Sequence, residues 1–168
     1  MSTTAPTNQA EWQSLADTLS FETRAYINDT FVDAQRGATL TTVNPATGEV
    51  LAKVASCDDA DAELATHAAR QAFDQGEWSR RAPGQRKTTL LDLAALMQAH
   101  RHELALLDTL DMGKPITSAL GDIDGAIGCL RYTAESIDKL YGEVAPTGDQ
   151  HLGLIVREPL GVVVSIVP

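Results

Sequence analysis

The sequence predicts an α/β fold that is rich in helices, with short N-terminal strands and an incomplete sheet. Short strand patterns with turn residues occupy positions 26–54, and helical periodicity dominates positions 56–142. The run Val162–Val167 is almost entirely β-branched, which is typical of a strand buried on both faces of a parallel sheet. A parallel strand needs a crossover and a partner strand, and Pro168 is the last residue. We therefore expect the front part of a larger protein.

The N-terminal region contains one helix pattern and four strand patterns. Ala10–Leu19 is predicted as an amphipathic helix. Asn28-Asp29 tolerates the positive φ of a tight hairpin turn, and Asn44–Gly48 is a strong turn signal. Around these turns lie the predicted strands Tyr26-Ile27, Phe31-Val32, Leu40–Val43 and Glu49–Val54.

Helical patterns follow. Ser56 is the candidate N-cap of the first helix, and Pro83 suits the first turn of the next. Gly113-Lys114-Pro115 interrupts the pattern before a last long helix, which Gly142 is expected to end. Leu152–Val156 then alternates as a half-buried strand.

Composition limits the classes of function. The chain has 168 residues, of which 43% are hydrophobic, and a formal net charge of -10, which argues against nucleic acid as a partner. No segment is apolar enough to cross a membrane, and Met1–Ala10 does not resemble a signal peptide. Cys57 and Cys129 do not make a disulfide framework, so we expect a cytoplasmic protein.

The residue types alone predict no catalytic constellation. His100 and His102 lie two apart on a predicted helix and point in different directions, which favours surface histidines over a metal site. Cys129 lies beside an apolar helical stripe and is interpreted as a buried, inert thiol. The glycine-rich dinucleotide fingerprint is also absent.

Three glycines share one face of the last helix at spacings of four and three: Gly121, Gly125 and Gly128. Each glycine inside a helix lowers helix stability by about 1 kcal/mol relative to alanine, so the presence of three glycines on one face calls for an explanation. Close helix packing is one interpretation, and room left for a ligand is the other. Asp122 and Asp124 interleave with these glycines. They are either ordinary solvated charges or an acidic lip for a cationic substrate.

Four segments of the chain form a joint pattern: Tyr26–Asn28, Thr42–Glu49, Leu110–Pro115 and Arg157–Val162. In their order and spacing they resemble the NAD(P)-dependent aldehyde dehydrogenase family. Three further segments are Ala10–Gln13, Ile137–Ala145 and Ile155–Pro159. Within the family, these are most similar to bacterial enzymes that oxidise γ-glutamyl-γ-aminobutyraldehyde and related aminoaldehydes in putrescine breakdown.

This resemblance implies a Rossmann-like cofactor domain, a catalytic domain and a small oligomerisation hairpin, of which the chain matches the front part. It divides the sequence into an N-terminal arm and helix, the first part of the cofactor domain, an oligomerisation arm and the first strand of the dinucleotide-binding sheet. Their ranges are 1–20, 21–142, 143–158 and 159–168.

The resemblance also implies site residues. The NAD or NADP cleft is matched by Ile166, Val167 and Pro168. A monovalent cation held on backbone carbonyls and a carboxylate is matched by Thr42, Val43 and Asp111, although Asp111 has the alternative of capping or pairing near Lys114. The substrate tunnel is matched by Asp122 and by Gly125, where many relatives carry a bulky residue.

In the family, a cysteine thiolate attacks the aldehyde, hydride passes to the nicotinamide, and a glutamate-activated water hydrolyses the thioester. The cysteine and glutamate lie beyond the matched part, so we assign no catalytic residue and expect the isolated chain to be inactive. An aldehyde substrate and a homo-oligomer are implied for the intact enzyme. The alternative is a stand-alone structural or interaction module that pairs through its exposed C-terminal strand.

Overall fold

A computed structural model describes residues 5–167 of the chain. Within this range the protein is α/β and helix-rich, as predicted, and its strands form three separate two-stranded antiparallel sheets. The helices are α1 (Gln9–Ala16), α2 (Asp59–Gln75), α3 (Pro83–Ala99), α4 (Arg101–Met112) and α5 (Ile116–Ser136). The strands are β1 (Ala25–Ile27), β2 (Thr30–Val32), β3 (Thr39–Val43), β4 (Val50–Ala55), β5 (Glu143–Ala145) and β6 (Gly153–Ile155).

The first two hairpins form where the turn residues predict them. Asn28 and Asp29 adopt φ values of 51° and 61°, so β1 and β2 are joined by the tight turn that favours such residues. In the β3–β4 ladder Thr42 pairs with Ala52 and Val43 with Val50. The intervening residue of β4 therefore forms a bulge, an irregularity that often lies near functional sites.

The start of α2 corrects the sequence-based N-cap. The cap is Asp58 rather than Ser56, because the Asp58 carboxylate accepts a hydrogen bond from the Ala60 backbone N–H at 2.9 Å. Asp61 completes a capping box by accepting from the Asp58 N–H at 2.9 Å. Its other oxygen accepts from the Gln35 N–H at 2.9 Å, so this buried carboxylate is satisfied by two backbone donors.

Helix α5 packs against both α3 and α4, and the core lies between these three helices. Its largest fully buried side chain is Ile127, and most of the other buried positions are alanines, which let helices approach closely. An ion pair between Lys87 Nζ and Glu135 Oε2 at 2.7 Å joins α3 to α5 at the rim. The buried alanines of this core are Ala94, Ala105, Ala119 and Ala134.

The end of α5 also differs from the prediction. The helix ends at Ser136 and tightens into a 3₁₀ turn over Ile137–Lys139, so Gly142 does not cap it. Gly142 instead allows a close approach: a Cβ at this position would lie 2.6 Å from the backbone oxygen of Ile155. The glycine is therefore required by the β5–β6 hairpin and not by the helix.

The C-terminal segment is more exposed than its sequence predicts. In β6, which was expected to be half-buried, Leu154 and Ile155 are 61% and 54% exposed. The predicted strand within 159–168 is not formed over its described residues, because Val162–Val167 belongs to no ladder within residues 5–167. A strand buried on both faces needs neighbouring strands and covering helices, and this part of the chain supplies neither. Among the described helices, none combines the length and apolar character needed to cross a bilayer.

Candidate functional site

The structure brings together two of the three residues matched to a cation site. The Thr42 hydroxyl of β3 donates a hydrogen bond to Asp111 Oδ1 of α4 at 2.6 Å, although the two residues are 69 positions apart. Val43 follows Thr42 at the point where the β3–β4 register shifts. This contact holds the turn end of the β3–β4 hairpin against the C-terminal end of α4.

The alternative partner of Asp111 does not contact it. Lys114 donates a hydrogen bond to Asp122, and its Nζ lies 3.8 Å from Asp108 Oδ2. The Asp111 carboxylate is thus bound by Thr42, while Lys114 is shared by two other carboxylates. Pairing with Lys114 therefore does not explain the position of Asp111.

A groove of about 520 Å³ lies beside the Thr42–Asp111 contact. Its walls are mainly apolar side chains of β4 and α4, including Leu51, the extra residue of the β4 bulge. Across residues 5–167, no group of three or more His, Cys, Asp or Glu side chains is arranged to hold a metal ion. A cation at Asp111 would therefore depend on backbone carbonyl oxygens, the ligands that hard cations accept.

The glycine face of α5 is open. A Cβ built on Gly121, Gly125 or Gly128 would meet no atom outside its own helix within 4 Å. Close helix packing is therefore wrong as an explanation within the described residues. The three glycines form a strip of small residues along the exposed side of α5, with free space above Gly125.

The two aspartates beside this strip are both paired. Asp122 accepts from Lys114, and Asp124 accepts two hydrogen bonds from the Arg101 guanidinium, at 2.5 and 2.6 Å. The second arrangement is the bidentate geometry in which arginine binds a carboxylate most strongly. Neither aspartate is thus a free solvated charge, and neither offers an unoccupied carboxylate.

The pKa values of these groups reflect the same pairs. The hydrogen bonds from Arg101 lower the pKa of the Asp124 carboxyl, with a further contribution from the nearby charges of Arg101 and His102. The hydrogen bond to Asp122 raises the pKa of Lys114, and the charges of Asp122 and Asp108 add to this shift. Lys114 therefore remains an ammonium throughout the neutral range.

Two of the three residues matched to the cofactor cleft are described by the structure, and both are exposed. Ile166 and Val167 have exposed fractions of 94% and 75%, and Pro168 lies outside the described residues. Within residues 5–167 they form one open edge and no enclosed dinucleotide pocket. Any cleft at this edge requires further walls.

The thiols and histidines form no catalytic arrangement in the described part of the chain. Cys129 is exposed, so its predicted burial is wrong: it lies on the uncovered side of α5. Slight desolvation raises the pKa of the exposed Cys57 thiol, and the charges of Asp61 and Asp58 raise it further, which disfavours a reactive thiolate. His100 Nδ1 lies 2.8 Å from Glu103 Oε2 at the surface, as expected for a solvated helix.

Sequence reasoning missed the two cations that hold the α5 aspartates. Arg101 is 23 positions from Asp124, and its role depends on how α4 packs against α5. Lys114 was considered only as a partner of Asp111. Lys114 stands eight residues before Asp122, just ahead of α5, and this short separation was the signal in the sequence that could have indicated the pair.

Comparison with solved structures identifies the fold. It is shared with the P. syringae indole-3-acetaldehyde dehydrogenase AldA in a complex with NAD+ and IAA, at a TM-score of 0.90 and 49% identity over 93% of this chain and 32% of that one. It is also shared with a γ-glutamyl-γ-aminobutyraldehyde dehydrogenase from Burkholderia cenocepacia, at a TM-score of 0.88 and 49% identity over 90% of this chain and 31% of that one. The architecture is thus that of the aldehyde dehydrogenases.

Sequence comparison gives the same result. The pattern of the aldehyde dehydrogenase family matches residues 31–168, so the chain belongs to this family. It is 49% identical to the NADP/NAD-dependent aldehyde dehydrogenase PuuC of Escherichia coli over 95% of this chain. It is 45% identical to an aminoacetaldehyde dehydrogenase of Pseudomonas aeruginosa over 96% of this chain. These matches cover 32% and 33% of the two relatives, so the chain spans about a third of their length.

Proposed function

We propose that the full-length protein containing this chain is an NAD(P)-dependent aldehyde dehydrogenase that oxidises an aminoaldehyde from putrescine or polyamine breakdown to the carboxylic acid. The observation that carries this proposal is the 49% identity to PuuC over 95% of the chain. The 45% identity to an aminoacetaldehyde dehydrogenase supports the same substrate class. NAD(P), when bound, accepts the hydride.

The open strip of α5 is proposed as part of the substrate tunnel. A side chain at Gly125 would project into free space, so the glycine leaves room for a wide or long aldehyde. Asp122 lies on the same exposed side and is proposed to face the polar end of the substrate. The role of this chain is then to bind and orient the aldehyde.

Two further sites are proposed, one for a monovalent cation and one for the cofactor. The backbone carbonyls of Thr42 and Val43, with the Asp111 carboxylate, are proposed to hold a monovalent cation near the end of α4. The Thr42–Asp111 hydrogen bond supports this by bringing both elements to one point. Ile166, Val167 and Pro168 are proposed to border the cofactor cleft, and the exposure of Ile166 and Val167 supports this.

The segments are proposed to keep their family roles: 1–20 as an arm, 21–142 as the first part of the cofactor domain, 143–158 as an oligomerisation arm and 159–168 as a sheet strand. The exposed β5–β6 hairpin supports a homo-oligomer. We place the enzyme in the cytoplasm, where exposed thiols such as Cys57 and Cys129 stay reduced. The isolated chain is proposed to be inactive, because it supplies neither the nucleophile nor the base.

A second candidate function is a stand-alone interaction module. The run Val162–Val167, which is unpaired within residues 5–167 and exposed from Val163 onward, favours it, because an open strand edge can pair with another chain. The downstream coding sequence distinguishes the two. Continuation into Trp-Asn and a later cysteine supports the enzyme, and a stop codon supports the module.

The activity is tested with the purified full-length protein. Incubation with NAD or NADP and an aminoaldehyde should produce reduced nicotinamide and the amino acid in equal amounts. The isolated 168-residue chain, assayed in parallel, should produce neither. Absence of turnover with amine-bearing and neutral aldehydes alike would contradict the proposal for the full-length protein.

A further inference from the structure

Lys114 lies at the junction between α4 and α5, the helix that carries the proposed tunnel wall. It follows Gly113, whose left-handed φ of 73° ends α4, and precedes Pro115, the N-cap residue of α5. Gly113 supplies the left-handed conformation that turns the chain out of α4, and Pro115 restricts the backbone of the residue before it, so the junction sets the backbone position of Lys114. The side chain is 33% exposed and reaches Asp122 on the first turns of α5.

The charges around this junction do not balance. Arg101 and Asp124 form a one-to-one bidentate pair. Lys114, in contrast, faces two carboxylates, Asp122 in hydrogen-bond contact and Asp108 at 3.8 Å. One ammonium against two carboxylates leaves one net negative charge. Removing the ammonium would leave two.

From this geometry we infer that Lys114 is a positioning residue that limits how strongly Asp122 selects cationic aldehydes. The inference rests on the proposed function, in which the strip beside Gly125 receives the aldehyde chain. While Lys114 binds Asp122 through Oδ2, a substrate amine must share the charge of this carboxylate with the lysine ammonium. Selection between amine-bearing and neutral aldehydes therefore depends mainly on the space at Gly125. The Asp122 carboxylate contributes little to it as long as Lys114 is bound.

The test uses the full-length enzyme with an aminoaldehyde and a neutral aldehyde of the same chain length. Lys114→Gln removes the competing charge, so the ratio of kcat/KM for the amine over the neutral substrate should rise about two- to fivefold, the range of an exposed ion pair. The rise should appear in KM and not in kcat, and it should shrink at high salt, which screens exposed charges. Lys114→Arg keeps the charge and should retain the wild-type ratio.

A double-mutant cycle assigns the effect to Asp122. Asp122→Asn should change the substrate ratio little in the wild-type background and should remove the whole gain in the Lys114→Gln background. If Lys114→Gln leaves the ratio unchanged or lowers it, or if the gain survives Asp122→Asn, the inference is wrong.

Gly125→Met separates this failure from failure of the proposed function. Gly125→Met can lower kcat/KM more for bulky than for small aldehydes while the Lys114 variants leave the amine preference unchanged. In that case only the role of Lys114 is overturned. If Gly125→Met affects all aldehydes equally, the tunnel assignment fails, and the inference about Lys114 fails with it.

Discussion

Gly113 and Pro45 are in direct contact, although they belong to two separate segments of the family pattern. A Cβ on Gly113 would lie 2.9 Å from Pro45 Cγ, and Gly113 has a φ of 73°. The turn that contains Pro45 therefore packs against the C-terminal end of α4, next to the hydrogen bond between Thr42 and Asp111. Backbone conformation and close approach both require glycine at position 113.

Gly113→Ala should therefore destabilise the protein by about 1–3 kcal/mol, because the methyl group adds a clash with a rigid ring to an unfavourable φ. The measurement is the free energy of unfolding from urea denaturation. Gly148→Ala is the matched control: Gly148 has open space and no positive φ, so its substitution should change stability by less than about 0.5 kcal/mol. Equal stability of the two variants would contradict the packing at Pro45.

Gly125→Met should narrow the proposed tunnel. We expect kcat/KM of the full-length enzyme for a long aminoaldehyde to fall about tenfold more than kcat/KM for acetaldehyde, the effect of a steric change in a substrate pocket. Gly84→Met is the control, since it adds the same side chain in equally open space but on α3, outside the strip. A parallel loss for both aldehydes, or the same result at Gly84, would count against the tunnel.

Asp111→Asn should weaken the dependence of the full-length protein on small monovalent cations. Replacing potassium by tetramethylammonium at constant ionic strength should lower Tm of the wild type, because a bound cation stabilises the folded state. The Tm difference should be smaller in Asp111→Asn, which removes the charged ligand. Thr42→Val removes the hydroxyl but keeps the backbone carbonyl, so it should retain most of the difference. An unchanged cation response in Asp111→Asn would exclude this residue as a ligand.

The Arg101–Asp124 pair should contribute stability that depends on pH. The pKa of Asp124 is lowered from its ordinary value of 3.8 in the folded state by hydrogen bonds from Arg101. Its contribution is therefore fully present above 3.8 and is lost as the pH falls through the lowered folded pKa. Asp124→Asn should destabilise the protein at neutral pH, and the difference from wild type should disappear in acid. In an Arg101→Met background Asp124→Asn should have little effect at either pH, and a pH-independent difference would contradict the pairing.

The isolated 168-residue chain should self-associate through its C-terminal segment. Val164 and Ile166 are 74% and 94% exposed, and an unpaired apolar edge favours intermolecular pairing. Light scattering should report oligomers that the double substitution Val164→Lys and Ile166→Lys reduces. Leu96→Lys, at a residue of α3 that is 60% exposed, is the control and should leave association unchanged. A monomeric wild-type chain would contradict this expectation.

The sequence by itself determined the features that depend on neighbouring residues. Asn28-Asp29 specified the first hairpin because only certain residues tolerate its positive φ values, and Pro83 marked the start of α3 because proline suits the first turn of a helix. The family pattern was also readable, because the four segments are contiguous stretches of sequence.

The tertiary structure decided the features that depend on contacts distant in sequence. Cys129 was expected to be buried beside an apolar stripe, but which side of α5 is covered depends on how α3 and α4 pack. Gly142 was predicted to end the last helix, but its close neighbour is the Ile155 carbonyl in a later strand. The partner of Asp124 likewise comes from another helix and that of Asp122 from the junction before α5, so both pairs depend on how these elements pack. Local signals fix backbone angles, whereas burial, strand pairing and ion pairs require the whole chain to be packed.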